Sequence, residues 1–245
     1  MRVITTRPRQ LPSRVDGGGG GARVKVATRT EVGLVREHNE DDLLVDEEQR
    51  LFVIADGLGG HVAGEVASRT AVHAAHLAFI ESAAADPERA LPEALHLAHE
   101  AVIEDAAADP GRRGMGTTAV VAKLSPDDRQ LWISHVGDSR AYLLRSGQLH
   151  RLTADHRVGG GSLTQALGTS GEIEPDTARV DLETADRVLL CTDGLTDMLG
   201  DDEIATHLAS GEPEQSCDRL VDAAMAHGGI DNVTLVLIEV GTTDA

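Results

Sequence analysis

Aromatic side chains are nearly missing from this chain, with one Trp, one Tyr and two Phe in 245 residues. With 41% hydrophobic residues it is globular, so its core must be built mostly from Ala, Val, Leu and Ile. Basic charge is also scarce: 22 Lys and Arg stand against 41 Asp and Glu, a formal net charge of −19. Such a surface repels nucleic acid and anionic lipid, because binding to a phosphate backbone depends on Lys and Arg. No apolar run approaches the roughly 20 residues of a membrane span, and there is no signal-peptide core. Cysteine appears twice, Cys191 inside an apolar run and Cys217 inside a helical stretch, without metal-type spacing. Both read as free thiols in a reducing compartment. These absences together lead us to expect a soluble cytoplasmic monomer that binds neither nucleic acid nor membrane.

The chain divides simply. Residues 1–22 hold Arg2, Arg7, Arg9 and Arg14, two prolines and the glycine run Gly17 to Gly21, and read as a flexible tail. A single domain is expected over 23–241, with a short tail at 242–245. Strand patterns cover Val24–Ala27, Leu43–Asp46 and Leu51–Ala55. Helical periodicity then covers Val62–Ser82, with Val66, Thr70, His73, Leu77 and Ile80 as the expected buried stripe. It resumes over Glu88–Ala108, bracketed by Pro87 and Pro110, with Leu91, Leu95, Ala98, Val102 and Ile103 facing inward. His73, His76, His96 and His99 read as ordinary residues of these helices. Further strands are expected at Thr117–Leu124, Leu131–Val136, Arg140–Leu144, Leu149–Leu152, Arg187–Thr192 and Val233–Val240, and helices at Asp201–Ala209 and Pro213–Ala226. Hairpin spacing between short strands favours antiparallel sheets. The expected class is α+β: two face-to-face sheets with helices on both outer faces, a four-layer α-β-β-α sandwich.

One local pattern recurs. In Leu51 to Val66 an apolar run delivers Asp56, and Gly57 follows at once. Gly57 leaves its own carbonyl open, since no Cβ crowds it. Asp193 ends a second apolar run and again precedes a glycine; Asp138 ends a third; Asp231 opens the last strand after Gly228-Gly229; Asp41 follows Glu40 at a strand start. One Asp-Gly alone reads as a turn. Several at the mouths of apolar strands suit hard cations such as Mg²⁺ and Mn²⁺, which take carboxylate, carbonyl and water oxygens. No Cys/His cluster has the spacing of a structural zinc site.

The ordered motifs Arg36-Glu37-His38-Asn39-Glu40-Asp41, Ala55-Asp56-Gly57-Leu58-Gly59-Gly60-His61, Gly114-Met115-Gly116-Thr117-Thr118, His135-Val136-Gly137-Asp138-Ser139-Arg140-Ala141, Leu152-Thr153-Ala154-Asp155-His156, Leu190-Cys191-Thr192-Asp193-Gly194-Leu195 and Gly229-Ile230-Asp231-Asn232-Val233-Thr234 resemble the PPM family of metal-dependent protein phosphatases (type 2C serine/threonine phosphatases) in their bacterial form. The resemblance spans about Val24 to Val240. It implies that Asp56 bridges two Mn²⁺ or Mg²⁺ ions, with the Gly57 carbonyl completing one and Asp193 and Asp231 holding the other. Glu40 and Asp41 would act through metal-bound waters, while Asp138 with Asp193, and Asp197 nearby, match a weaker third site. Arg36 would hold the substrate phosphate, and a water or hydroxide between the ions would attack phosphorus directly. The implied substrates are phosphoproteins made by a serine/threonine kinase. A phosphomonoesterase of broad or small-molecule specificity and a catalytically weak phosphoprotein-binding regulator are the alternatives. The intact acidic set argues against the second.

Two departures stand out. Some family members carry a histidine, the proposed general acid, where this chain has Leu58; His61 is a poor substitute, so the general acid stays unassigned. The family flap is also shortened here to Arg157-Val158-Gly159-Gly160-Gly161-Ser162. A link so short and glycine-rich implies an open site whose selectivity comes from elsewhere or is largely absent.

Overall fold

A computed structural model of the chain describes residues 24–59, 62–82, 86–158 and 162–241. The expected tails at 1–22 and 242–245, the glycine run and His61 lie outside the described residues. In chain order the strands and helices are β1 (Val24–Glu31), β2 (Asp41–Asp46), β3 (Leu51–Leu58), α1 (Val62–Glu81), α2 (Pro87–Ala108), β4 (Gly116–Thr117), β5 (Ala119–Leu124), β6 (Gln130–Val136), β7 (Arg140–Arg145), β8 (Gln148–Arg151), β9 (Arg157–Val158), β10 (Ser162–Leu163), β11 (Asp176–Asp181), β12 (Arg187–Cys191), α3 (Asp193–Thr196), α4 (Asp201–Leu208), α5 (Pro213–Ala226) and β13 (Val233–Val240).

The strands form two large sheets. The first has the order β11-β6-β5-β3-β2, with β4 attached to β3; the second has the order β1-β13-β12-β7-β8. Pairing between the named strands is antiparallel throughout. Side chains on a strand alternate between faces, so β3 feeds two cores at once. Leu51, Val53 and Ala55 pack under α1 and α2, while Phe52 and Ile54 pack against Val188, Leu190, Val236 and Ile238 of the other sheet. A third core joins the far face of the second sheet, through Leu189, Leu235 and Leu237, to Ile204, Leu208, Leu220 and Ala224 of α4 and α5. Three cores between four layers make the expected α-β-β-α sandwich. Among the described residues no helix is long and apolar enough to cross a membrane. Cys191 and Cys217 are free and buried, as their sequence context suggested.

Local chemistry explains α2 well. The Asp86 side chain accepts from the Glu88 N–H and Pro87 occupies the first turn, so the start is capped and preset in φ. Leu91, Leu95, Ala98 and Val102 are buried as expected, but Ile103 is exposed. The stripe expected on α1 is displaced. Val66 is buried, Thr70 is half-buried, and His73, Leu77 and Ile80 face solvent. The inward face consists of Gly64, Ala67, Ser68, Ala71, Val72 and Ala75. Small side chains let α1 sit close to β3 and α2, and close packing outweighed the apolar size of Leu77 and Ile80.

Three further differences concern short elements. The expected Thr117–Leu124 strand is interrupted at Thr118, whose N–H turns to the Asp56 carbonyl. Strand β11 was not anticipated: its sequence DTARVD offers only Ala178 and Val180 to the inter-sheet core. The four-residue α3 is too short to show helical periodicity.

Candidate metal centre and active site

The segments of the candidate site lie at strand ends and connections drawn from both sheets. Residues Arg36 and Glu40 lie between β1 of the second sheet and β2 of the first; Asp138 lies between β6 and β7; Asp193 and Asp231 border β12 and β13. Asp41 and Asp56 are direct partners across the β2–β3 ladder. A buried apolar strand fixes each backbone, and the carboxylates converge at the open end of the seam.

Glycines are required here by close approach. A Cβ on Gly57 would collide with the carbonyls of Gly64 and Glu40, and one on Gly194 with the carbonyl of Asn232. Gly137, at φ +101°, sits where a Cβ would press on the Thr118 side chain. Each packed glycine therefore fixes a neighbouring carboxylate: Asp56, Asp193 and Asp138 respectively.

Side chains without a role in the sequence reading complete the frame. The Asp56 N–H donates to Thr118 Oγ1 at 3.0 Å, and Thr118 Oγ1 contacts Ser139 Oγ at 2.7 Å. Asn232 Oδ1 accepts from the Glu40 N–H at 2.8 Å, while its amide donates to the carbonyls of Val32 and His38. Thr192 Oγ1 donates to Asp41 Oδ2 at 2.9 Å. His156 clamps the Asp138 turn: its N–H donates to the Gly137 carbonyl and its Nδ1 accepts from the Gly137 N–H at 3.2 Å. Thr118, Asn232 and His156 all fall inside the recognised motifs, so position in a motif was the available signal.

The carboxylates raise one another's pKa. Burial pushes Asp56 well above the ordinary carboxylate range, and the charges of Asp41, Asp193 and Asp231 push it further. Burial lifts Asp41 to about 7 against the hydroxyl hydrogen bonds that favour its charged form. Asp193 rises to about 6, through burial and then the charge of Asp138. Two arginines oppose this charge. Arg36 Nη2 donates to Asp231 Oδ2 at 2.7 Å with its side chain 48% exposed, at the mouth of the cluster.

The second is Arg157. It leads β9, which among the described residues pairs with β10. Its Nε donates to Asp138, its Nη2 donates to Asp193 Oδ2 at 2.5 Å, and its Nη1 lies 3.9 Å from Asp197 Oδ1. The corner assigned by resemblance to a weaker third ion is thus gathered around a guanidinium. Asp138, with a side chain only 3% exposed, has burial raising its pKa and Arg157 opposing that rise. In the sequence alone Arg157 reads as part of a linker.

The donor set fits hard divalent cations. It offers carboxylates from Asp56, Asp193, Asp231, Asp41 and Glu40, together with the backbone at Gly57. Asp41 Oδ1 is buried with no hydrogen-bond partner among the described residues. A buried carboxylate oxygen left unpaired among like charges needs a proton or a cation. A separate group, His135, His156 and Asp176, lies close enough to suggest a metal site. Its hydrogen bonds say otherwise: Nδ1 of His156 accepts from Gly137, so Nε2 carries the proton and donates to Asp176 Oδ2 at 3.3 Å. His135 contacts the Ala154 carbonyl through Nε2 and stacks on His156 at 4.9 Å. This group props up the Asp138 turn.

Comparison with known proteins agrees with this geometry. The family described as Stage II sporulation protein E (SpoIIE) matches residues 46–241. The serine/threonine phosphatase stp of Listeria welshimeri is 36% identical over 238 residues, covering 86% of this chain and 94% of the relative. The crystal structure of the Mycobacterium tuberculosis serine/threonine phosphatase PstP/Ppp superposes with a TM-score of 0.81 at 33% identity, over 89% of this chain and 99% of that one. The catalytic domain of PstP in complex with two manganese ions gives a TM-score of 0.80 at 34% identity, over 89% and 99% of the two chains. With the fold, the acidic seam and these similarities in agreement, the chain belongs to the PPM family of serine/threonine protein phosphatases.

Proposed function

We propose that this protein hydrolyses phosphoserine and phosphothreonine esters of proteins, using two divalent cations, Mn²⁺ or Mg²⁺, held by Asp56, Asp193, Asp231 and the Gly57 carbonyl. The observation that carries the reading is the convergence of buried carboxylates from both sheets on one seam, with Arg36 at its mouth. Cations bound there would neutralise phosphate charge and lower the pKa of a water nucleophile. Arg36 presents a planar guanidinium that suits bidentate contact with two phosphate oxygens, and its present partner, Asp231, keeps it beside the cluster. Glu40 and Asp41 stand behind the cluster as proton acceptors for water, with Asp41 oriented by Thr192. Leu58 offers no proton, so the leaving oxygen takes none from that position. Asp138 and Asp197 are allotted to Arg157.

We place this activity in a single catalytic domain over 23–241, acting as a monomer on phosphoproteins in the cytoplasm. Two unpaired, buried thiols suit a reducing compartment.

Hydrolysis of an aryl phosphate tests the reading. Activity should appear with Mn²⁺, vanish with chelator, and fall by at least about 10²-fold in Asp193→Ala, the scale of losing a major electrostatic contact in the transition state. An inactive wild type in Mn²⁺ would refute the enzyme reading, and activity surviving chelator would refute the metal assignment.

A further inference from the structure

Large apolar side chains exposed to solvent are few among the described residues, and half of them border the acidic seam. Leu77, Ile80, Leu97 and Ile103 lie on α1 and α2. The other four are Leu34 (68% exposed), Val35 (65%), Val158 (67%) and Ile230 (52%). Leu34 and Val35 precede Arg36, Ile230 precedes Asp231, and Val158 follows Arg157. Arg36 is bonded to Asp231 and Arg157 to Asp193, so all four adjoin residues of one cluster.

For Leu34 and Ile230 the exposure is set by backbone contacts. Leu34 N–H donates to the Gly229 carbonyl at 2.7 Å. Gly33, at φ +84°, sits so close to the carbonyls of Asp231 and Gly229 that no side chain would fit. The loop before β2 is therefore locked to the loop before β13, with Leu34 and Ile230 held outward on it. A preordered apolar surface loses little further freedom when something binds it.

We propose that Leu34, Val35, Ile230 and Val158 form an apolar rim that seats nonpolar side chains flanking the phosphorylated serine or threonine, so that the enzyme selects phosphoprotein segments with apolar neighbours over acidic ones. This rests on the phosphatase reading above and adds a substrate class to it. The occupant follows from continuity: a segment whose phosphate reaches Arg36 must pass its adjacent side chains over residues next to Arg36 and Asp231. Charge points the same way, since a chain of net charge −19 repels acidic flanks. The shortened flap leaves this rim as the source of selectivity.

The test uses phosphoserine peptides that differ only in the residues beside the phosphoserine, Leu, Ser or Glu, assayed with Mn²⁺ beside an aryl phosphate that has no flanks. Wild type should favour the Leu peptide over the Glu peptide by about 10-fold or more in kcat/KM, the scale of a modest hydrophobic contact. The difference should lie mainly in KM, because an apolar flank contacts substrate and transition state alike. Leu34→Ser with Ile230→Ser should remove most of the preference and leave aryl phosphate turnover within about twofold. Equal rates on all peptides, or a preference unchanged in the double variant, would overturn the rim. Should the double variant also lose aryl phosphate activity, Val158→Ser, on a separate hairpin, decides: a weaker preference supports the rim and an undiminished one overturns it. If neither peptide nor aryl phosphate is hydrolysed by wild type, the phosphatase reading fails, and the rim with it.

Discussion

Without divalent cations, this protein should lose stability as the pH rises, and one isosteric change should remove much of the loss. Asp41 is the residue to alter. Its carboxylate is buried, one oxygen has no partner among the described residues, and its pKa lies at about 7 against an ordinary 3.8. Between those two values the folded chain holds a proton that the unfolded chain has released. Stability is therefore full at low pH and falls by about 1.4 kcal/mol per pH unit through this window. For an isolated group the total would be about 4 kcal/mol. Asp41 sheds its proton in steps shared with Asp56 and Asp193, so about 2–3 kcal/mol is assigned to the single change.

The variant is Asp41→Asn, which keeps the shape and an acceptor for Thr192 but cannot ionise. At about 2–4 °C per kcal/mol for a chain of this size, it should melt about 5–10 °C above wild type at pH 8 in chelator. Near pH 5 the gap should shrink to less than half, and it should close only below the ordinary value of 3.8, where the unfolded carboxylate is protonated too. Saturating Mn²⁺ should raise the wild type more than the variant at pH 8, because binding the folded state stabilises by about 2.7 kcal/mol at one hundred times Kd. Calorimetric melts at pH 5, 6.5 and 8, with chelator and with Mn²⁺, read all of this. A gap in chelator that does not change with pH would refute the electrostatic account of the cluster.

Two other changes probe its supports. Arg157→Ala leaves Asp138 buried without its cation and should cost about 2–4 kcal/mol in thermal or denaturant unfolding, with Arg157→Lys recovering only part because it lacks the planar fork. Asn232→Ala removes the acceptor of the Glu40 N–H and the hydrogen bonds from the Asn232 amide to the carbonyls of Val32 and His38 at one stroke. A loss of about 2–3 kcal/mol in denaturant unfolding is expected, together with weaker Mn²⁺ binding by titration calorimetry.

Much of the centre was legible because its grammar is local. A buried strand that ends in Asp-Gly announces a fixed acid, and Asp56 and Asp193 do lie side by side in the fold with Asp231 and Asp41. What the two glycines do was only partly legible. Gly57 is expected to leave its carbonyl uncrowded; the contacts that exclude a side chain there come from Gly64 of α1 and from Glu40, which only the folded chain brings against it. Arg157 was hidden for the same reason. In the chain it precedes three glycines and looks like a linker; its partners, Asp138 and Asp193, meet it only when the two sheets are stacked. The α1 stripe failed on a different count. Apolar periodicity pointed to Leu77 and Ile80, but the depth of a helix against a sheet is set by its smallest residues, and those lie on the Ala67–Ala71–Ala75 face.

The placement of the acids also decides how the centre relates to the fold. Asp56 and Asp41 belong to one sheet, and Asp193 and Asp231 border strands of the other. Packing the sheets buries Phe52 and Ile54 against Val188, Leu190, Val236 and Ile238, and it necessarily brings those four carboxylates together. Hydrophobic burial thus drives an assembly that charge repulsion opposes. Arg36 and Arg157 offset part of that repulsion, Arg36 from a loop and Arg157 from the short strand β9. Cations that bind the seam would remove the rest and tie one sheet to the other. Their affinity should therefore rise with pH as the carboxylates lose their protons, and the packing of the two sheets and the loading of the centre should strengthen each other.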